Sequence, residues 1–445
     1  MRIHSSGGVC LYMFLTGRRR KDFCSHHLEF LILLLVAAAY TGWLFFVLAR
    51  TSRKHAKVNE TEDAKDFGGE YQAMSDTMQK TIQSNAVRRP AWLLPTPARR
   101  DESSEDAGVR RLLLKLMRGE DLLRAEAAEL LSAMLDERAT DAQIAAALVA
   151  LAVKGETVEE LTGMAEAMRA RAVSIHSRHE NFIDTAGTGS SYAKTFNVST
   201  AAALVAAGAG LMVAKQANRS VTSNTGSAEV LGKLGIKVSG EPEIAEACLN
   251  GAGICFMFAP KFHPTLKRVG SIRGNLGIRS CLNLLGVLSN PANAPKQIVG
   301  VWHRSLIEPM AQALALLGTQ NAWVVHGADG LDEISLTGET LVAEVYRNKL
   351  RFFKITPEDF GLQRAKTDHL KIDGAEESAK IIREVLANRR RDEARSLIIL
   401  NAAAALIVGG VTDEPVHAAR LAEQSIDSHS AQVKLERLIQ TTNKR

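Results

Sequence analysis

From residue 180 onward, short apolar runs alternate with helical stretches of small residues, and that alternation narrows the choice of fold sharply. The runs are Phe182-Ile183, Leu211 to Ala214, Ile254 to Phe258, Ile298 to Val301 and Trp323 to His326. Between them lie patterns such as Ala201 to Gly208 and Ala228 to Leu234. Strands separated by helices predict an α/β domain over 179–445, with a mostly parallel sheet covered by helices. The composition agrees: 46% of the 445 residues are apolar and only 5% aromatic, which suits a helix-rich α/β chain better than an all-β one.

Residues 107–178 have a different rhythm. Val109 to Met117 carries apolar residues at helical spacing and stops at Gly119; Ala125 to Leu135 is a second amphipathic stretch. Thr140 with Gln143, and Thr157 with Glu160, are capping-box pairs that open a third and a fourth helix. Four short helices joined by short loops predict a small helical bundle.

The first 57 residues form a separate extension. Phe30 to Ala49 is 20 residues long without a charge, enough for a helix to cross a bilayer core of about 30 Å. Basic residues flank it on both sides (Arg18, Arg19, Arg20 and Lys21; Arg50, Arg53, Lys54 and Lys57), so charge does not orient it. Two readings stay open: a membrane anchor through 30–49, or translation starting downstream at Met74 or Met78. Residues 58–106 are polar, mixed in charge and interrupted by Pro90, Pro95 and Pro97, which reads as a flexible linker.

The net charge of +6 and pI of about 9.0 are mild for this size and are explained by an ordinary basic surface or by anionic small molecules; no nucleic-acid partner is expected. Of five cysteines, Cys248, Cys255 and Cys281 lie inside apolar runs, and no CxxC occurs. Buried thiols in a reducing, cytoplasmic compartment follow, with neither a disulfide framework nor a zinc site.

Ligands of parallel sheets sit at the loops after the strands. Two candidate loops stand there, Asp184 to Thr200 (DTAGTGSSYAKTFNVST) and Lys215 to Ser227 (KQANRSVTSNTGS). The Gly187-Thr188-Gly189 turn exposes backbone N–H groups of the kind that cradle phosphate, though many such turns bind nothing. Lys215 and Arg219, read as lying just beyond a strand, add two positive charges among Asn218, Ser220, Thr222 and Ser223. Ser199 or Thr200 is either the N-cap of the next helix or an anion contact at its positive end. A third loop, His326 to Ile334, sets Asp332 beside Glu333, a pair suited to a hard cation or to capping. Arg273 has the fork that grips a carboxylate, but Arg268 and Arg279 lie in the same basic stretch.

Taken in order, these blocks resemble the anthranilate phosphoribosyltransferase family across residues 107 to about 440. KQANRSVTSNTGSAEVLGKLG, AGTGSSYAKTFNVST, FMFAPKFHPTLKRVGSIRGNLGIRSCLNLLGVLSNPA and VVHGADGLDEIS match that family in order and spacing. The resemblance implies a helical domain joined to an α/β domain of the nucleoside phosphorylase and phosphoribosyltransferase type, in a homodimer. It implies transfer of phosphoribose from phosphoribosyl pyrophosphate (PRPP) to the amine of anthranilate, with Mg²⁺ as cofactor. By matching position it implies PRPP contacts at Gly187, Ser190, Ser191, Thr195, Asn197, Val198, Ser199, Thr200, Lys215, Gln216, Ala217, Asn218, Arg219, Ser220, Val221, Thr222, Ser223 and Ser227. Ser199, Asp332 and Glu333 would hold the metal. Gly187, Asn218, His263, Arg273 and Gly286 would line the anthranilate side, and Lys215, Arg219 and Arg273 would carry the catalysis.

The chain departs from the family pattern at Ser190 and Ser191 (GTGSS for GTGGD), at Gln216 and Ala217, and at Val287, where the family has proline. These leave alternatives: another aromatic acceptor for the same donor, or a non-catalytic homologue that binds nucleic acid.

Overall fold

The computed structural model describes residues 104–136, 138–189, 195–219, 226–238 and 241–444. The apolar run 30–49 and the linker 58–103 lie outside the described residues, as do Ser190, Ser191 and Ser220 to Ser223. Among the described residues no helix is long and apolar enough to cross a membrane.

Four helices open the described chain: α1 (Ser104–Met117), α2 (Arg124–Leu135), α3 (Asp141–Lys154) and α4 (Val158–Arg169). Both capping boxes form. Thr140 Oγ1 accepts the Gln143 N–H at 3.3 Å, and Gln143 Oε1 accepts the Thr140 N–H at 2.7 Å. Thr157 and Glu160 exchange the same pair of bonds at 3.2 and 2.9 Å. Glu160 is fully buried, yet its carboxylate is paired with Lys154 at 2.8 Å and accepts the Leu122 N–H at 2.8 Å, so its burial is compensated. At Gly163 α4 touches the backbone of α2: a Cβ there would overlap the Arg124 carbonyl.

Seven strands follow: β1 (Ile183–Asp184), β2 (Val213–Ala217), β3 (Ile254–Phe258), β4 (Lys296–Gly300), β5 (Asn321–Gly327), β6 (Thr340–Tyr346) and β7 (Lys349–Ile355). The sheet order is β3-β2-β1-β4-β5-β6-β7. The pairs from β3 through β5 are parallel, while β5–β6 and β6–β7 are antiparallel. The β6–β7 hairpin has no counterpart in the sequence reading. Its two-residue turn, Arg347-Asn348, holds both residues at positive φ (49° and 62°), as a type I′ turn requires. The chain runs outward from β1 in both directions, so the strand order reverses between β1 and β4, and the crevice beyond these strand ends is where such sheets bind ligands.

Eleven further helices among the described residues surround the sheet: α5 (Val198–Gly208), α6 (Ser227–Lys233), α7 (Pro242–Ala252), the single turn α8 (Ala259–Phe262), α9 (Lys267–Leu276), α10 (Cys281–Leu288), α11 (Ile307–Leu316), α12 (Ala375–Leu386), α13 (Glu393–Val408), α14 (Pro415–Asp427) and α15 (Ser430–Asn443). On one face α5 packs against α13, α14 and α15. Ser425 Oγ donates to the Val205 carbonyl at 2.8 Å, and Gly208 leaves no room for a Cβ beside Ser425 and Ala431. On the other face Val299, Val324, Ala343 and Val345 share one apolar core with α10, α11 and the four-helix bundle. The bundle is therefore continuous in packing with the sheet.

Cys248, Cys255 and Cys281 are buried free thiols, and burial pushes Cys248 up to about 11, out of the range of reactive thiolates. Arg389, Arg390 and Arg391 form a basic triplet, and two of them are paired: Arg390 with Asp392 at 2.7 Å, and Arg391 with Asp427 at 3.6 Å.

Candidate active site

The crevice is built from the ends of four strands. β1 is only two residues long because Asp184 turns the chain: its Oδ1 accepts the Ala186 N–H at 2.9 Å. The turn that follows is tied to β4, since the Thr188 N–H and Oγ1 both donate to the Gly300 carbonyl, at 2.9 and 3.0 Å. Gly187 is wedged against the neighbouring loops: a Cβ would meet the Asp332 and Gly300 carbonyl oxygens at 3.4 Å. Gly189 has φ of 67°, the left-handed region that glycine enters freely.

The second loop corrects the sequence reading. β2 continues to Ala217, so Lys215, Gln216 and Ala217 are strand residues and not part of the loop. Lys215 is 2% exposed and its Nζ donates to the Thr185 carbonyl at 2.7 Å; it braces the Gly187 turn from beneath. Burial depresses the lysine pKa, against the opposing pull of Asp184, Glu333 and Asp332. Gln216 Oε1 is buried without a hydrogen-bond partner among the described residues. Asn218 and Arg219 are exposed where the strand ends, and the Arg219 guanidinium lies 5.6 Å from the centre of the Phe258 ring. Asn218 also starts the next element: its N–H donates to Ser227 Oγ at 3.0 Å, where α6 begins.

At α5 the cap is Asn197, not Ser199 or Thr200. Asn197 is fixed by Ser378, which accepts its N–H at 3.0 Å and donates to its Oδ1 at 3.1 Å. Thr195 forms an isolated bridge with Lys371. Val198 and Thr200 point into the core at 1% and 0% exposure, which leaves only their backbone groups for a ligand. Ser199 turns the other way: its N–H donates to Glu333 Oε1 at 3.2 Å. The helix start and the acidic loop thus meet. Burial and the neighbouring Asp332 push the Glu333 carboxyl up to about 8, against the opposing pull of Lys215 and Ser199.

The acceptor side expected from the resemblance lies on α8 to α10. Arg268 is engaged by Asp141 (2.6 Å) and Arg279 stacks over Trp302 (5.6 Å), whereas Arg273 Nε is buried with no hydrogen-bond partner among the described residues. Arg273 faces Cys281, at the start of α10, and Gly286 in that helix has open space where a side chain would be. Val287 is buried in the core, and a proline there would remove a hydrogen bond from the continuous helix Cys281–Leu288. His263 is 1% exposed, and burial lowers its pKa to about 4. Its neutral form is the one the fold holds. Stability is then complete above the unfolded pKa of about 6.5 and falls as pH drops towards 4, by roughly 3 kcal/mol in all. Urea unfolding of wild type and His263→Asn from pH 7 to pH 4 is expected to show this slope in the difference between the two proteins.

Residues that sequence reading passed over complete the arrangement. Gly300 is hidden in the sequence as the last residue of an apolar strand; a Cβ there would overlap the Asp332 carbonyl oxygen. Asp184 and Asn290 are polar residues among apolar neighbours, and they bond each other at 2.6 Å. Such a polar residue within an apolar segment is the available signal.

Fold and crevice together define a glycosyl transferase with a helical bundle and an α/β domain. The helical bundle domain of the glycosyl transferase family matches residues 110–172, and the a/b domain of that family matches residues 179–432. The anthranilate phosphoribosyltransferase of Moorella thermoacetica is 46% identical over 331 residues, covering 74% of this chain and 97% of the relative. That of Desulforamulus reducens is 45% identical over 332 residues, covering 75% and 96%. The crystal structure of the Thermus thermophilus enzyme superposes with a TM-score of 0.71 at 36% identity, covering 75% of this chain and 99% of that one. The Saccharomyces cerevisiae enzyme in complex with PRPP and Mg gives 0.69 at 27% identity, covering 76% and 98%. The chain belongs to the anthranilate phosphoribosyltransferase family.

Proposed function

We infer that this protein transfers the phosphoribosyl group of PRPP to the amine of anthranilate, giving N-(5-phosphoribosyl)anthranilate and pyrophosphate, a step of tryptophan biosynthesis. The observation that carries the reading is the meeting of the Gly187 turn, Ser199 and the Asp332-Glu333 pair where the strand order reverses. Departure of pyrophosphate leaves positive charge on the ribose C1, so the site has chiefly to receive a polyanion and aim an amine. Arg219, exposed where β2 ends, is suited to receive the anion. Arg273, whose buried Nε has no hydrogen-bond partner among the described residues, is suited to the anthranilate carboxylate. Lys215 adds its charge from below while holding the turn.

Asp332, Glu333 and Ser199 offer oxygen donors only, the set a hard divalent ion prefers. These residues would hold Mg²⁺, which when bound offsets the pyrophosphate charge.

Full-length protein supplied with PRPP, anthranilate and Mg²⁺ is expected to consume anthranilate, followed as loss of its fluorescence, and to stop when EDTA is added. PRPP binding without anthranilate consumption would point to a different aromatic acceptor. No PRPP binding at all would end the transferase reading. We also propose that the protein is a homodimer. Met117, Leu123, Val149 and Val153 leave large apolar side chains exposed in the helical bundle, Val153 at 83%, and a second copy would cover them. Sedimentation is expected to give twice the chain mass, and Val153→Glu to shift it towards the monomer.

A further inference from the structure

Asn290 follows α10 and is 1% exposed. Its amide nitrogen donates to Asp184 Oδ2 at 2.6 Å and to the Ala214 carbonyl at 2.9 Å. Its amide oxygen accepts the Ala292 N–H at 2.8 Å. Asp184 in turn bends β1 into the Gly187 turn, and Lys215 holds the Thr185 carbonyl of that same turn. One closed, buried polar network therefore joins the end of β1, the middle of β2 and the segment after α10. That segment also belongs to the acceptor side: the backbone of Ser289 bonds the His263 ring, and Gly286 lies four residues upstream of Asn290. Within this network, Asn290 is the residue that bonds β1 and β2 at once from the acceptor side.

We propose that Asn290 is a positioning residue for the transfer: through Asp184 it sets the donor-binding turn at a fixed distance from α10, so that the ribose C1 and the incoming amine meet in one geometry. The inference rests on the transferase reading and deepens it. The physical reason is the rigidity of buried networks. Asn290 Nδ2 has both protons engaged, and Asp184, 2% exposed, cannot turn to water if its partner is lost. The loosened turn then holds the donor less accurately. A misplacement of about 1 Å in a transfer site lowers turnover by about 100-fold, while binding spread over many contacts suffers less.

The test uses the full-length protein and three variants: Asn290→Ala, Asn290→Asp, and Asn290→Asp combined with Asp184→Asn. Steady-state constants, PRPP affinity by calorimetry and thermal midpoints are measured for each. Asn290→Ala is expected to lower kcat by about 100-fold and to weaken PRPP binding by less than about tenfold. Asn290→Asp sets two carboxylates against each other and is expected to be worse. Adding Asp184→Asn restores a 184–290 hydrogen bond and is expected to recover kcat at least about tenfold over Asn290→Asp alone. The proposal is overturned if Asn290→Ala keeps kcat within about threefold of wild type, or if the paired variant recovers nothing. The first result with an active wild type sinks the positioning role alone. A wild type that turns over nothing sinks the transferase reading, and the positioning role with it.

Discussion

Glu333→Gln is expected to lower turnover by about 100-fold or more and yet to raise the thermal midpoint at pH 8.5. The loss follows because an amide is a poor ligand where a carboxylate must meet both a cation and the Ser199 N–H. The gain follows from linkage. The folded-state pKa of Glu333 is about 8, above the ordinary value of 4.5, so the folded protein holds a proton that the unfolded chain releases in between. The Glu333 contribution to stability therefore falls as pH rises from about 4.5 to about 8 and stays reduced above that. Glutamine carries no charge and escapes the penalty. Melting both proteins in EDTA from pH 5 to pH 9 checks this. The midpoint difference should be small at pH 5 and should widen up to about pH 8; a difference that is flat with pH would contradict the argument.

Gly300→Ala is expected to be the most damaging change of a single methyl group, lowering kcat by at least about 100-fold. A Cβ at 300 cannot coexist with the Asp332 carbonyl, so either the acidic loop moves away from the strand ends or β4 does. Both displace Asp332 and Glu333 from Ser199. The Gly300 carbonyl also receives two bonds from Thr188, so a shift of β4 loosens the Gly187 turn as well. Gly286→Ala serves as the control for an added methyl, since that position opens onto free space. It should leave PRPP affinity unchanged while Gly300→Ala weakens it. Equal effects on PRPP binding would mean that Gly300 has no special role.

Much of the fold is legible where local chemistry decides it. Thr140 and Thr157 announce their helices because a capping box needs only residues three apart. The strand Ile254–Phe258 has its predicted bounds because apolar residues stop where the strand stops. Lys215 to Ala217 read as loop because polarity changes after Ala214. Yet the strand continues, held by pairing with Phe256, Met257 and Phe258, and polarity at the end of a parallel strand marks the ligand side. The β6–β7 hairpin escapes sequence reading because Arg347-Asn348 lacks the glycine that usually marks a type I′ turn. For the candidate site, Gly187, Ser199, Asp332 and Glu333 are legible as motifs, but their supports are not. Gly300 and Asn290 act through residues far away in the chain, and the packing that brings them together exists only in three dimensions.

The packing of α5 bears on how the protein is made. This helix opens at the candidate site, and Ala201 to Ala207 within it are buried at 2% exposure or less. Its covering comes from α13, α14 and α15, residues 393–443, which leave the ribosome nearly 200 residues after α5 does. During synthesis the nascent chain thus presents a bare apolar helix beside an unfinished crevice, a surface that chaperones and proteases recognise. Gly208 against Ala431, with Ser425 bonded to Val205, closes that surface only once the last helices arrive. The donor side is thereby fully covered only after residues 393–443 have been made.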